Sequence, residues 1–167
     1  MIRAETPDDT KDIRRVIVAA FGRAEEATLV EQLRAAGDLV VSLVAVDGPR
    51  LIGHVAFSRM SAPFRALGLG PVAVDPKHQR RGIGERLIRE GLSCAKSGAW
   101  DGIFVLGDPR YYQRFGFAAK RAAGFSSPYA GPHFMALELS IPLPVLDGSV
   151  EYAPAFGRLS EVDESAH

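Results

Sequence analysis

Apolar side chains recur at helical spacing early in the chain, with Ile13, Val16, Ile17 and Ala20 on one face behind Asp8-Asp9-Thr10. Phe21-Gly22 closes that stretch, as a glycine past the last turn does. Leu29, Val30 and Leu33 form a second stripe and predict a helix over about 25–36, stopped by Gly37. The pattern then changes. Residues 39–46 are valine-rich, Asp47-Gly48 is a hairpin turn, and 51–57 returns as the partner strand. A third strand over 67–74 leads through Asp75-Pro76 into a helix from about Gly82 to Ser97, where Ile83, Leu87, Ile88, Gly91, Leu92 and Ala95 share a face. Residues 102–107 are a continuous apolar run, which suits a strand covered on both faces. Asp108 and Pro109 read as the cap and first residue of a short helix ending at Gly116, and 134–141 supplies a further strand.

The order, βααββ then βαβα then β, predicts an α/β (α+β) fold in which one mixed sheet carries helices on both faces. Pro142, Pro144 and Pro154, with Gly148 and Gly157, break up the segment that follows. Residues 142–157 are expected to pack on the domain as an extension, with a short strand at Val150–Tyr152, and 158–167 to form a flexible tail. The 167 residues suit one domain. Lys plus Arg and Asp plus Glu are both 20, so the net charge is zero, which argues against nucleic-acid binding driven by a broad positive field. Cys94 is the lone cysteine, so no intrachain disulfide or cysteine-rich zinc site forms. Its place between Leu92 and Ala95 predicts burial rather than nucleophilic duty. The first residues lack a signal-peptide pattern, and no apolar run nears the ~20 residues that span a bilayer. A cytoplasmic protein with no membrane partner is the expectation.

The chemistry concentrates in Val72-Ala73-Val74-Asp75-Pro76-Lys77-His78-Gln79-Arg80-Arg81-Gly82-Ile83-Gly84. A strand runs into a basic loop, and the loop delivers two glycines to the first turn of an amphipathic helix. The helix start offers unpaired N–H groups and an effective charge of roughly +0.5. Gly82 and Gly84 let an anion approach the backbone, and Lys77, Arg80 and Arg81 add charge suited to phosphate. A Walker A loop would end in Gly-Lys-Ser/Thr, whereas Gly84-Glu85-Arg86 follows here. A dinucleotide fingerprint would need a third glycine where Leu87 stands. The site is expected to hold a pyrophosphate.

Gln79-Arg80-Arg81-Gly82-Ile83-Gly84 resembles the acetyl-CoA motif of the GNAT N-acetyltransferases, Gln/Arg-x-x-Gly-x-Gly/Ala between a central strand and a long helix. The resemblance covers about 1–141 and looks closest to a small bacterial subgroup of predicted acetyltransferases. It implies a mostly antiparallel twisted sheet with a splayed central strand pair. It also implies that loop N–H groups hold the pyrophosphate of acetyl-CoA while the pantetheine arm pairs with Val72-Ala73-Val74. The residues add support for an open edge. Leu67 and Leu69 alternate on odd positions but Val72 and Val74 on even ones, so one extra residue sits at Gly70-Pro71.

The family often carries Tyr-x-x-x-Gly-Phe after its fifth strand, with the tyrosine as general acid. Counting back from Gly116-Phe117 gives Tyr112, while Tyr111 stands four residues before Phe115 and is expected to face the core. The resemblance implies direct attack of an amine on the thioester, a main-chain N–H near Val74 on the oxyanion, and Tyr112 protonating the thiolate. His54 and Asp108 are candidates for the base, each with a structural alternative: a satisfied histidine and a helix cap. His78 is either near the phosphates or a solvated loop residue. The histidines lack zinc-ligand spacing, so no metal is expected. In the family the acceptor is shaped by the first two helices and by loops near the last strands, here residues 21–26 and 125–133. Glu25 and Glu26 are either attractors of a cationic amine or first-turn helix acids.

Two functions therefore compete. One is an acetyl-CoA-dependent N-acetyltransferase acting on a small-molecule or protein amine, with a homodimer as the default assembly. The other is a non-catalytic acyl-CoA-binding sensor or scaffold. Only the first requires thiol release that depends on Tyr112.

Overall fold

The computed structural model describes residues 1–158; the tail expected over 158–167 lies outside the described residues from 159 onward. The leading strand, to which the sequence order gave no bounds, is β1 (Ile2–Ala4). Helices α1 (Thr10–Phe21) and α2 (Glu25–Ala36) follow, each ended by a left-handed glycine, Gly22 or Gly37. Strands β2 (Leu39–Asp47), β3 (Arg50–Arg59) and β4 (Ala66–Val74) form an antiparallel meander. Then come α3 (Ile83–Ser97), β5 (Gly102–Leu106), α4 (Pro109–Tyr112), α5 (Ala119–Ala122), β6 (Phe125–Ser126), β7 (Phe134–Glu138) and β8 (Gly148–Ser149). The main sheet runs β1-β2-β3-β4-β5-β7, and only its β4–β5 pair is parallel. This is the mixed, mostly antiparallel sheet that the sequence pattern and the resemblance implied.

Alternation along the strands divides the interior between two faces. Leu43, Ala45, Val55, Phe57, Ile103 and Val105 pack with Leu87, Ile88 and Ala95 of α3. Val44, Leu51, Ala56 and Ala73 pack with Ile13, Val16 and Ile17 of α1 on the other side. Helix α3 approaches the sheet closely at Gly91, where a Cβ would collide with the Phe57 ring. Gly91→Ala is therefore expected to destabilise by about 1–3 kcal/mol through overpacking, despite alanine's better helix propensity. A lower urea midpoint at unchanged slope would report it.

The segment after β7 differs in detail from its sequence reading. The short strand falls at Gly148–Ser149 rather than Val150–Tyr152, and pairs in parallel with β6. Glu151 instead forms an isolated antiparallel bridge with Ser61. Leu143, Val150, Ala153 and Ala155 are buried, the last two against Leu29 and Leu33 of α2. Cys94 is exposed, contrary to the burial expected from its neighbours, because it falls just outside the α3 stripe. No helix among the described residues is long and apolar enough to cross a membrane.

Candidate active site

The sheet opens at β4. Its register against β3 passes from Phe57↔Leu69 to Val55↔Val72, so three steps along β4 match two along β3. The extra residue lies at Gly70-Pro71, as the broken alternation predicted, and Gly70 holds a φ of 131° that favours glycine. Pairing of β4 with β5 covers Ala66, Leu67 and Gly68, then stops. Beyond Gly68 the two strands part.

The main chain of the parted segment faces the gap. Asp75 N–H donates to the Ile52 carbonyl at 2.8 Å, which fixes that pair as hydrogen-bonded. Antiparallel ladders alternate, so Ala73 bonds across to His54, whereas Val72 and Val74 turn their N–H and C=O groups away from β3. The Gln79 side-chain amide donates to the Val74 carbonyl at 3.1 Å and ties the loop to the strand. Asp75 supports the same corner. Its carboxylate caps the turn at Lys77 N–H, 3.0 Å away, and meets Arg50 at 3.2 Å. The Lys77 hydrogen bond, followed by the Arg50 interactions, outweighs burial and holds its pKa below the usual value.

The loop then turns twice through left-handed backbone, at Arg80 (φ 66°) and at Gly82 (φ 78°), the N-cap of α3. A left-handed arginine is costly, and such conformations gather at ligand sites. Two cavities meet at this corner. One, about 240 Å³, is lined by Ala20, Phe21, Val72, Val74, Gln79, Gly84, Ile88, Tyr111 and Tyr112. The other, about 390 Å³, shares Val74, Gln79, Gly84 and Tyr111 and adds His78, Arg80, Gly82, Ile83, Glu85 and Arg114. Most of the residues singled out in the sequence thus converge on one cleft. Ala73 points its side chain to the opposite face, against α1, and Arg81 is exposed and lines neither cavity.

Both tyrosines line the first cavity, which corrects the expectation that Tyr111 faces the core instead. Tyr111 does meet Phe115 edge-on, with centroids 5.6 Å apart, but it is half-buried and reaches both cavities. Tyr112 is the deeper of the two, 1% exposed, and packs on Phe115 and Phe117. Burial, then the neighbouring Tyr111, pushes the Tyr112 phenol pKa up, so it stays protonated across the physiological range. Arg114, which sequence reasoning passed over, braces the cleft. Its guanidinium covers the Tyr111 ring at 4.4 Å and reaches Glu85 on α3 at 3.0 Å. Its location within the Tyr-x-x-x-Gly-Phe spacer was the available signal.

Neither candidate base stands in the cleft. Asp108 caps α4 by accepting from Arg110 N–H at 2.9 Å. His54 is fully buried, lines neither cavity, and sits 2.8 Å from Ser42 Oγ. Ser42 donates to Glu5, which Arg34 holds at 2.8 and 2.9 Å. A serine oxygen that donates to a carboxylate accepts from the ring, so His54 carries its proton on Nε2 and its buried Nδ1 has no partner. The acids of the α1–α2 turn are likewise engaged, Glu26 by Arg23 at 2.5 Å and Glu25 by the same arginine at 3.5 Å. Among the described residues no His, Cys, Asp and Glu group could hold a metal ion.

Burial lowers the His54 pKa to about 4, with Glu5 opposing and Arg34 adding to the shift. The unfolded ring takes a proton near pH 6.5, the folded one only near pH 4. As pH falls through that window the unfolded state binds the extra proton, and stability is expected to drop by up to about 3 kcal/mol. Glu5 acts lower. Burial alone would raise its pKa, but hydrogen bonds from Arg34 and Ser42 hold it down, so its contribution fades below its ordinary value of 4.5. Urea midpoints at pH 7, 5.5 and 4 should therefore decline in the native protein and flatten in His54→Gln.

A family model described as an acetyltransferase (GNAT) domain matches residues 1–119, more than two thirds of the sequence. The chain belongs to the GNAT acetyltransferase family. It is accordingly an N-acetyltransferase in class, and its relatives agree. The uncharacterised N-acetyltransferase YhbS of Escherichia coli (strain K12) is 38% identical over 121 residues, 70% of this chain and 72% of the relative. YjhQ, another uncharacterised N-acetyltransferase of that strain, is 36% identical over 133 residues, 74% of this chain and 73% of its own. Among solved structures, E. coli YhbS in complex with CoA superimposes at a TM-score of 0.90 and 32% identity, covering 100% of this chain and 95% of that one. A GNAT acetyltransferase from Brucella melitensis in complex with acetyl-CoA gives 0.80 and 38%, over 93% and 97% of the two chains.

Proposed function

We propose that this GNAT chain transfers an acetyl group directly from acetyl-CoA to a primary amine, using the cleft between β4, α3 and α4. One observation carries the reading: β4 leaves β5 after Gly68, and the main-chain groups of Val72 and Val74 line a gap leading to the N-terminus of α3. That arrangement supplies a strand edge free of β5, with Gln79 on the Val74 carbonyl, and an anion site in succession. Amides at Gly82, Ile83 and Gly84, with Arg80 and Arg81, hold the pyrophosphate. Within the segment Val72-Ala73-Val74, the outward main-chain groups of Val72 and Val74 receive the pantetheine arm as a strand would, while Ala73 stays bonded to β3. The binding of CoA and acetyl-CoA by the two solved relatives supports this placement.

The amine nitrogen attacks the thioester carbon, and Val74 N–H donates to the oxyanion that forms. Collapse breaks the carbon–sulfur bond, and Tyr112 gives its proton to the departing thiolate. The ammonium proton leaves to water, since neither His54 nor Asp108 stands in the cleft, and water returns a proton to the Tyr112 phenolate to complete the cycle. Much of the acceleration comes from holding both substrates in line, which contributes roughly 7–11 kcal/mol. Within this reading the acceptor is a small molecule or a protein, the setting cytoplasmic and the assembly a homodimer. Titration calorimetry with CoA should give a saturable heat, and a screen of amines, polyamines and peptides with acetyl-CoA should release thiol with at least one class. Silence in the calorimeter would overturn the assignment.

A further inference from the structure

Asp75 joins the anion loop to the scaffold behind it. It follows β4 directly, its side chain is only 6% exposed, and it lines neither cavity. Its two carboxylate oxygens face different elements. Oδ1 accepts from the Lys77 main-chain N–H at 3.0 Å, and the Asp75 carbonyl accepts from His78 N–H at 2.8 Å. Those bonds fold the short turn Pro76–His78, from which the chain enters Gln79 and the left-handed Arg80 and Gly82. Oδ2 instead meets two guanidinium groups from outside the loop. Arg50, the first residue of β3, donates to it at 3.2 Å, and Arg15 of α1 lies 3.7 Å away.

Arg15 is fixed in turn. It donates to the Leu51 carbonyl at 3.0 Å and lies 3.5 Å from Asp12 on its own helix. Leu51 is buried among the α1 side chains, and the next carbonyl, of Ile52, accepts from Asp75 N–H at 2.8 Å. The turn is thus bolted to α1 and β3 together. Neither arginine borders either cavity, so both act from behind the loop. A buried carboxylate beside an anion site is otherwise a liability, since it opposes the arriving phosphates. Two guanidinium groups on its far oxygen offset that charge, and what remains is a fixed turn.

We propose that Asp75 is a positioning residue for the cofactor, locking the anion loop to α1 and β3, with Arg15 and Arg50 acting through it. This rests on the assignment of that loop to acetyl-CoA. Held this way, the amides of Gly82, Ile83 and Gly84 meet the pyrophosphate without first being ordered, which strengthens binding through preorganisation. His78, tied to the Asp75 carbonyl, lines the larger cavity, so movement of the turn is passed directly to the cleft wall.

The sign of one substitution separates position from charge. Asp75→Asn keeps the side chain's size and an oxygen for Lys77 N–H, but removes the charge that holds both guanidinium groups. Were charge alone at work, losing an anion beside the phosphates would tighten CoA. Loss of position weakens it instead. Titration calorimetry with CoA, on samples whose circular dichroism matches the native protein, should show Kd raised about tenfold in Asp75→Asn. Arg50→Gln should raise it about threefold, Arg50→Lys should stay within about twofold, and Arg50→Gln should add nothing in the Asp75→Asn background. Where Asp75→Asn does not fold, Arg15→Gln/Arg50→Gln carries the test at part-exposed positions, with an expected loss of about tenfold. An unchanged or lower Kd in the folded variant, or an Arg50→Gln loss that persists in full without the carboxylate, would overturn the proposal. A native protein that takes up no CoA would instead strike the cofactor assignment beneath it.

Discussion

Replacing Tyr112 with phenylalanine is expected to lower kcat by about 10²-fold or more while leaving the Kd for CoA within about twofold. The substitution removes one oxygen and keeps the ring that packs on Phe115 and Phe117, so the cleft retains its shape. What disappears is the proton that the proposed mechanism delivers to the departing thiolate. Burial keeps the phenol protonated, so its proton is still in place when the thioester is attacked. Tyr111→Phe is the control. Its hydroxyl lies at the junction of the cavities, beside Gly84, and its loss should cost no more than a few-fold in kcat. Single-turnover rates of the two variants separate the roles, and a Tyr112→Phe enzyme as fast as its parent would remove Tyr112 from the chemistry.

A ring placed at Gly84 should abolish cofactor binding without unfolding the protein. A Cβ at Gly84 would make ordinary contacts, 3.7 Å to Val74 Cγ2 and 3.9 Å to both Val72 Cγ1 and the Tyr111 hydroxyl. Gly84→Ala is therefore accommodated, and the helix even gains about 1 kcal/mol of propensity. The six further carbons of Gly84→Phe would lie where the two cavities join. Calorimetry should record a Kd for CoA raised at least about 100-fold, equivalent to roughly 2.7 kcal/mol, with Gly84→Ala only several-fold weaker. Melting temperatures at or above that of the parent would confirm that the loss is local.

The long elements were legible because their periods are strong. The α3 stripe and the valine-rich strands leave little choice of face, and the shift from Leu69 to Val72 located the extra residue without any structure. Short elements carried no such signal. β1 has three residues, β6 and β8 two each, and α5 four, too few for a period to emerge, so tertiary contacts decide them. Tyr111 and Tyr112 were harder still, since α4 passes into a tighter turn at Gln113 and sequence spacing no longer assigns one ring to one side. Glu5, Ser42, His54 and Arg34 lie far apart in sequence, and only the sheet brings their chain of hydrogen bonds together.

The inserted residue of β4 is covalent, so the strands cannot zip shut when the ligand leaves. A partner therefore meets a slot that folding has already prepared, and no ladder must be broken before it enters. Such preorganisation spares the ordering cost that a closed sheet would impose on each turnover. Association should then be governed by diffusion and charge rather than by a slow opening step.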